Sequence, residues 1–339
     1  MVQQFSDKAN VKELCMWVGL SDSVYYYRPI NGKRGRKPSS FTIKSDGTIV
    51  PNDVVIQDIR KSLGREFCCY GYQNITSELH DIGYMINHKK VYRIMDENNL
   101  LLGKVIRTQG KRQFVKHRKI KANFPLEYLC IDIKYVWVAG EQRNYYLLTV
   151  IDVYTRFAID QIFQKSIRKI DVINLFRRIN NIFGIKGITI RNDNGSQFIA
   201  NDVKAFLKSA FANQEFTHVA TPEENSYIEA FHSIVETEVI QRFDIQSYYD
   251  GKSIFQQHRK WYNFERKHGR IGRITPYQKW LDYINLNPKI NNNFDTINKT
   301  ETGSAGEQPV RNNLSNDDKM EGISFDISSI YKISLLNMP

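Results

Sequence analysis

The sequence contains little cysteine, proline or histidine for its length. Of 339 residues, four are cysteine, nine are proline and seven are histidine. The cysteines show neither CxxC nor mixed Cys/His spacing, which argues against a structural zinc site and against a disulfide framework. The chain also lacks a signal-peptide pattern and any uncharged apolar run of about eighteen residues. We therefore expect a cytoplasmic protein that does not span a membrane.

Acidic residues are fewer than basic ones. The chain has 36 Asp and Glu against 48 Lys and Arg, a formal net charge of +12. An apolar share of 41% and an aromatic share of 12% exclude a disordered chain, and the length allows two domains. A basic surplus of this size favours polyanionic partners, with nucleic acid the first candidate.

The first fifty residues combine a helical segment with a basic linker. Residues 1–29 are predicted to be a helical segment, because residues 10–28 carry a helical pattern that Gly19 interrupts. They fit either half of a helix-turn-helix unit or a packing hairpin. Residues 30–50 fit either an arm that lies on phosphates or in a minor groove, or a solvated linker. The linker's candidate DNA-binding residues are Lys33, Arg34, Arg36 and Lys37.

Residues 51–103 are predicted to form an all-α helix-turn-helix module. Its three helices are expected near residues 53–63, 72–82 and 87–98, with Asn87 capping the third. Lys89, Lys90 and Arg93 lie on the outer face of that third helix, as expected of a helix that reads the major groove. A plain three-helix bundle with a solvated charged face is the alternative.

Residues 104–124 form a basic connector that contains no acid. With few apolar anchors, this segment is predicted to bind the phosphate backbone. Its candidate DNA-binding residues are Lys111, Arg112, Lys116, Arg118 and Lys119.

Beyond Pro125 the period changes from helical to alternating, and residues 125–283 are predicted to form an α/β core. In the first strand Ile131, Ile133, Tyr135 and Trp137 would share one face and leave Asp132 on the other. Further strands are expected at 145–153, 156–164, 188–193 and 216–220. Helices are expected at 169–183, at 202–211 and from 222 to about 243. This order predicts a mixed sheet with helices packed on it.

One acid on each of three elements could converge in this core. Asp132 lies within an apolar strand, where an unpaired carboxylate is costly and a bound cation would offset the cost. Asp193 ends the fourth strand, and Glu229 lies in the first turns of the long helix. Taken singly, Asp193 could be a turn residue and Glu229 a solvated one. Together they suit hard divalent ions, which can activate an attacking oxygen and stabilise a leaving one.

The chain resembles the OrfB-type transposases of the IS-three group of bacterial insertion sequences. These proteins share a retroviral-integrase-like catalytic core of the DDE type with a ribonuclease-H-like fold. The resemblance spans residues 10–281, and 35 residues separate the second acid from the third, as in that family. It rests on Tyr70-Gly71-Tyr72, residues 87–100, Asp132-Ile133, Val150-Ile151-Asp152, residues 193–198, Asn225, Glu229, Trp261-Tyr262-Asn263, Arg266, His268 and Thr275-Pro276.

The resemblance implies metal-dependent cleavage and strand transfer of insertion-sequence ends. Asp132, Asp193 and Glu229 would be the catalytic metal ligands, and the cofactor would be Mg²⁺ or Mn²⁺, as two ions. Partners would be double-stranded DNA, further copies of the chain on that DNA, and an upstream-frame OrfA-type protein or a fusion with it. The bacterial cytoplasm, at the nucleoid, would be the location. Residues expected to flank the site are Lys134, Asn194, Gly195, Gln197, Asn225 and His232.

Three features depart from the family pattern. Arg191-Asn192 stands where the family usually has His-Ser, and Glu236 stands where it usually has a lysine suited to DNA contact. The third is the polar tail at 284–339, which we expect to be disordered. Because Glu236 would repel phosphate, the alternative function is a catalytically impaired protein that occupies or represses transposon ends. A ribonuclease-H-like nuclease for RNA–DNA hybrids is disfavoured, because the helical module suits duplex DNA.

Overall fold

The computed structural model describes residues 2–28, 38–103, 120–218 and 222–286. The basic arm at Lys33, Arg34, Arg36 and Lys37 lies outside the described residues. So do the connector cations Lys111, Arg112, Lys116, Arg118 and Lys119, and the tail beyond residue 286.

The N-terminal segment folds into two short helices, as its periodicity predicts. They are α1 (Val11–Trp17) and α2 (Asp22–Tyr25), and a 3₁₀ turn at Val2–Gln4 precedes them. The side chain of Asn10 caps α1 by accepting a hydrogen bond from Lys12 N. Val2, Leu14 and Cys15 are buried and form a small apolar cluster of their own.

Three further helices follow where the sequence predicts them. They are α3 (Asn52–Leu63), α4 (Tyr72–Asp81) and α5 (His88–Glu97). The Asn87 side chain accepts from Lys90 N and so caps α5, as expected.

The sequence predicts an all-α module here, and the structure adds a three-stranded antiparallel sheet to it. The strands are β1 (Phe41–Lys44), β2 (Ile49–Pro51) and β3 (Tyr84–Met85), in the order β2-β1-β3. Residues 41–51 are therefore a β-hairpin rather than part of a basic linker. Its turn contains Gly47 at a φ of 84°, and the Asp46 side chain accepts from Thr48 N.

The predicted α/β core is built on a five-stranded mixed sheet in the order β6-β5-β4-β7-β8. Strands β4 (Tyr128–Val138), β5 (Arg143–Asp152) and β6 (Ala158–Gln164) form an antiparallel meander. Strands β7 (Thr189–Asn192) and β8 (Asn213–Phe216) add in parallel beside β4. Parallel neighbours require crossover connections, which the intervening helices supply.

Helices cover both faces of this sheet. On one face α6 (Lys169–Phe183) and α8 (Asn201–Ser209) pack against alternate residues of β4 and β5. On the other face lie α9 (Ser226–Val235) and α10 (Tyr248–Phe264). A short α7 (Ser196–Ile199) precedes α8, and α11 (Pro276–Leu286) follows α10.

The exposed end of β4 departs from the sequence prediction. Ile131 is buried, but Tyr135 and Trp137 are 65% and 50% exposed, whereas Val136 and Val138 are buried. The face of β4 that carries Ile131 is therefore buried only where α6 and α8 cover it. Beyond that stretch this face is exposed, and the opposite face, with Val136 and Val138, is the buried one. Asp132 keeps the predicted position, on the face opposite Ile131.

The long helix predicted to reach residue 243 ends earlier. After a 3₁₀ turn at Pro222–Asn225, α9 runs to Val235 and passes into a π-helical turn at Glu236–Ile240. The buried Glu238 of this turn accepts a hydrogen bond from Arg266 Nε at 2.6 Å and contacts His258 Nε2 at 3.1 Å. This buried ionic cluster fixes the π-helical turn against α10 and the segment that follows it.

The helix-turn-helix region packs directly on the core and shares its apolar cluster. The buried hydroxyl of Tyr70 accepts from Lys267 N at 2.7 Å, and Asn74 Nδ2 donates to Lys267 O at 3.1 Å. Lys267 Nζ in turn donates to Ser77 Oγ at 2.9 Å and is paired with Asp81. Residues 261–268, recognised by resemblance, therefore lie at the contact between the two regions.

Among the described helices, none has the length and apolar composition needed to cross a membrane.

Candidate active site

Asp132 lies in the middle of β4, on the sheet face that α9 covers. Its Oδ1 accepts from Ile133 N at 2.8 Å, and its side chain is 21% exposed. Burial, together with smaller contributions from the negative charges of Asp193 and Glu229, raises the pKa of Asp132 to about 7. The three predicted acids are thus electrostatically coupled in the folded chain.

Asp193 follows directly after β7, the parallel neighbour of β4. Cys130 pairs with Arg191 in this register, so continuing it by two residues sets Asp132 beside Asp193. Neighbouring strands run about 4.8 Å apart. The topology of the sheet therefore brings these two acids to the same level.

Side chains pack closely against the backbone of the turn after Asp193. Asp193 Oδ1 accepts from Gly195 N at 3.0 Å. A Cβ built on Gly195 would lie 2.3 Å from Gln197 Nε2 and 3.0 Å from Asp193 Oδ1. Gly195 thus allows Gln197 and Asp193 to approach its backbone closely. Asn194 Nδ2 donates to Thr217 O at 3.0 Å and ties the turn to the end of β8.

Glu229 extends from the first half of α9. Ile228, Phe231 and Val235 form the buried stripe of this helix, as predicted, and Glu229 is exposed beside it. Because α9 packs on β4, the charge of Glu229 reaches Asp132.

The three acids fit a divalent cation by their chemistry. Carboxylate oxygens are the ligands that Mg²⁺ prefers, and a bound cation would relieve the repulsion that raises the Asp132 pKa. Within the described ranges, no three His, Cys, Asp or Glu side chains lie close enough together to hold a metal ion. The acids would therefore have to move closer together to bind one.

Two buried polar side-chain atoms, on different residues, have no hydrogen-bond partner among the described residues. They are Nε2 of His232 and Oδ1 of Asn225, both predicted to flank the site. Nδ1 of His232 lies 3.6 Å from Asp132 Oδ2. Burial, followed by the charge of Lys134, lowers the pKa of His232 to about 3, so its imidazole is neutral at pH 7. A buried polar atom without a partner is costly, so both atoms are candidates for contact with a bound ligand.

Glu236 is paired with a lysine beside the site. Lys134, two residues beyond Asp132 on the same strand face, places its Nζ 2.9 Å from Glu236 Oε2. Their side chains are 20% and 37% exposed. The negative charge that would repel DNA phosphate is therefore offset by an adjacent cation.

A buried ionic cluster that the sequence did not predict holds β7, β8 and the start of α9 together. Arg191 is 3% exposed and its guanidinium contacts Glu215 on β8 at 2.9 Å. It also donates to the backbone oxygen of Glu224 at 2.9 Å, and the Glu224 carboxylate accepts from His218 N and Nδ1. Arg191 thus positions the elements that bear Asp193 and Glu229. An arginine within the predicted strand at 188–193 was the signal available in the sequence.

The three predicted DNA-binding cations of α5 differ in their surroundings. Lys89 is exposed. Lys90 Nζ donates to Ser39 Oγ at 3.0 Å and to a backbone oxygen of the β1 hairpin. Arg93 donates to Ser39 O at 3.3 Å and lies 3.7 Å from Glu97. Two of the three therefore fasten the hairpin to α5 in this conformation.

Three protein-family descriptions match the chain. An HTH-like domain matches residues 51–109, and two integrase core domain descriptions match residues 122–222 and 212–276.

Curated relatives of the chain belong to insertion elements. The 39.2 kDa protein of insertion element IS476 from Xanthomonas euvesicatoria is 26% identical over 63% of this chain and 61% of its own length. The 31.7 kDa protein of IS407 from Burkholderia multivorans is 24% identical over 80% of this chain and 91% of its own. The transposase for IS904 from Lactococcus lactis is 24% identical over 61% and 85%. The chain thus spans less than two thirds of the first relative's length and most of the other two.

Solved structures of viral integrases align with the chain at low similarity. The HTLV-2 integrase catalytic core domain in complex with magnesium has 13% identity and a TM-score of 0.37, over 47% of this chain and 99% of that one. A chain of the simian T-cell lymphotropic virus intasome has 13% identity and a TM-score of 0.41, over 76% and 78%.

The raised pKa of Asp132 predicts how the stability of the metal-free protein changes with pH. Between its ordinary value of 3.8 and about 7, folded Asp132 keeps a proton that the unfolded chain has lost. The free energy of unfolding should therefore fall as the pH rises through this window, by up to about 1.4 kcal/mol per pH unit. Because Mg²⁺ would replace the proton, it should stabilise the protein more at pH 8 than at pH 6.

Urea unfolding at pH 5 to 8, with and without Mg²⁺, measures both effects. Asp132→Asn should flatten the pH dependence and abolish the magnesium effect. Asp96→Asn, at an exposed position of α5, should change neither. Equal pH slopes in wild type and Asp132→Asn would contradict the assignment.

Proposed function

We propose that this chain, which belongs to the insertion-sequence transposases that combine an HTH-like domain with an integrase core, is a DDE-type transposase that cuts and joins DNA strands. The proposal rests above all on the coupling of Asp132 to Asp193 and Glu229 in the folded core. These three acids would be its catalytic metal ligands, with two Mg²⁺ or Mn²⁺ ions as the cofactor.

The residues around the acids would bind and orient the reacting strand. Bound at the three carboxylates, divalent metal would supply activation of the attacking water or 3′-hydroxyl and charge neutralisation at the leaving oxygen. Neutral His232 would hold Asp132 without competing for the cation, since an imidazolium there would repel it. Lys134 would balance the charge of Glu236 at the edge of the site.

The substrate would be double-stranded DNA at the ends of an insertion sequence and at the target. The helix-turn-helix module would bind that DNA, with Lys89 exposed on its last helix. Cutting and joining two ends requires more than one active site, so we propose that several copies assemble on DNA. An upstream-frame OrfA-type protein or fusion is the further partner we propose. The place of action would be the bacterial nucleoid, in the cytoplasm.

The alternative of a catalytically impaired DNA-binding protein rested on Glu236. The ion pair with Lys134 offsets that charge, so Glu236 no longer argues for it. The three acids are all present, and we adopt the enzymatic function.

Removing either of two acids should abolish chemistry and preserve DNA binding. We expect Asp193→Asn and Glu229→Gln to reduce metal-dependent nicking of duplex DNA from the element's own ends by at least about 100-fold, because each change removes a metal ligand. DNA affinity, measured by fluorescence anisotropy, should be nearly unchanged. Asp202→Asn, on the exposed face of α8, should nick normally. Loss of binding in the two acid variants would instead make these acids structural.

Neutralising Glu236 should strengthen DNA binding. Glu236→Gln leaves Lys134 free to contact phosphate, so affinity should rise and the slope of log affinity against log salt should steepen by about one. The matched control is Asp202→Asn, which frees Lys169 from an exposed pair on another surface. An equal gain in the control, or no change in Glu236→Gln, would exclude Lys134 from the DNA-binding surface. Lys134→Gln in the Glu236→Gln background should cancel the gain.

A further inference from the structure

A basic pocket lies where the basic connector, the sheet and the C-terminal residues meet. Its volume is about 590 Å³, within the range of pockets that hold small organic ligands. Four cations line it: Lys121, Arg156, Arg270 and Lys279. Two tyrosines, Tyr154 and Tyr227, supply its aromatic rings.

The four cations form a site for an anion. No acidic residue is among the described residues that line the pocket. None of the four cations forms an ion pair with a carboxylate in the described part of the chain. Cations gathered in a concavity whose lining contains no carboxylate raise the local concentration of an anion.

Arg156 is held in place by its own turn. Its backbone has a φ of 69°, a left-handed conformation that is unfavourable for arginine and needs support from the surrounding structure. Arg156 N donates to Asp152 O, and the buried Asp152 carboxylate accepts from Thr155 N and Thr155 Oγ1. The Asp152 that the family resemblance includes therefore builds the turn that bears Arg156.

An aromatic ring positions the Arg156 guanidinium. The guanidinium carbon lies 4.1 Å from the ring centroid of Tyr227, and NH1 donates to Val153 O at 2.5 Å. Tyr227 OH donates to Ile120 O at 3.0 Å, which ties the end of the connector to α9. Tyr227 precedes Glu229 by two residues on that helix, so the pocket adjoins the element that bears the third acid.

The shape of the pocket favours one nucleotide over a regular duplex. In a duplex the bases are stacked inside and the phosphates lie on a convex ridge, which a flat basic surface can follow. A concavity with cations and aromatic rings instead suits a nucleotide whose base is free to stack on a side chain. Tyr154 is half-buried at the wall, with Lys279 Nζ 5.0 Å from its ring centroid.

We propose that this pocket binds one unpaired nucleotide of a DNA strand, with its phosphate among the four cations and its base on Tyr154. The proposal rests on the proposed function for its substrate class. It adds a nucleotide-binding site separate from the three catalytic acids. This site would hold a nucleotide whose base pair has opened at a DNA end or junction.

The test compares two DNA ligands of one sequence, a blunt duplex and the same duplex with three unpaired nucleotides at one 3′ end. Wild-type full chain should bind the extended ligand roughly tenfold more tightly in fluorescence anisotropy, as stacking of one base on an aromatic ring predicts. Arg270→Gln with Lys279→Gln, and separately Tyr154→Leu, should remove this preference. Lys186→Gln with Lys208→Gln, two exposed lysines of the α6–α8 side, should retain it.

A second readout reports stacking directly. With 2-aminopurine as an unpaired base, binding of wild type should quench its fluorescence, and binding of Tyr154→Leu should not. Unfolding midpoints of each variant establish that it folds. Glu229→Gln should keep the preference and the quenching, so loss of chemistry in that variant bears on the proposed function alone.

Two results would overturn the proposal. Equal affinity of wild type for both ligands would mean that no unpaired nucleotide is bound. Equal weakening of both ligands by the pocket variants would mean that the cations contact duplex phosphates only.

Discussion

The central constraint in this core is the position of the Asp132 carboxylate. It lies mostly shielded from water on a sheet strand, within reach of the charges of Asp193 and Glu229. Burial, and to a smaller extent repulsion by the other two carboxylates, raises the pKa of Asp132 to about 7. The sheet imposes this arrangement, because the parallel register of β4 and β7 sets two of the acids at one level.

Buried ionic contacts keep the surrounding elements in place. Arg191 joins β7 to β8 and to the 3₁₀ turn that precedes α9, so it fixes the supports of the second and third acids. Glu238 joins the π-helical turn to Arg266 and His258, and Lys267 joins that region to the helix-turn-helix module. Replacing one partner of such a contact is costly, because the charge of the other partner would stay buried without a counter-charge. We infer that the helix-turn-helix module and the five-stranded core move as a connected unit.

The elements with strong local signals could be predicted from the sequence. Asn87 capped its helix as expected, and the alternation of β4 placed Asp132 on the face opposite Ile131. The hairpin at residues 41–51 was not predicted from the sequence. The cations that precede it led us to assign the whole segment to a basic linker, although Asp46-Gly47 is a strong turn signal. The exposure of Tyr135 and Trp137 could not be predicted, because it depends on where the covering helices end.

Pairings between distant residues could not be predicted either. The sequence shows Glu236 as an isolated negative charge, and only the fold brings Lys134 to within 2.9 Å of it. Arg191 looked like a departure from a motif, and only the position of Glu215 on the neighbouring strand shows that it is a paired structural residue. Local pattern thus predicts elements and their faces, whereas ionic partners depend on topology.

The most direct test of the account is made in cells. The gene's own flanking DNA is placed on a plasmid, the chain is expressed with any upstream frame, and joined ends are amplified. The account predicts joined ends with the wild-type chain and none with Asp132→Asn at equal protein level. Joined ends in both would contradict the central claim, because the coupled acids would then not perform the chemistry.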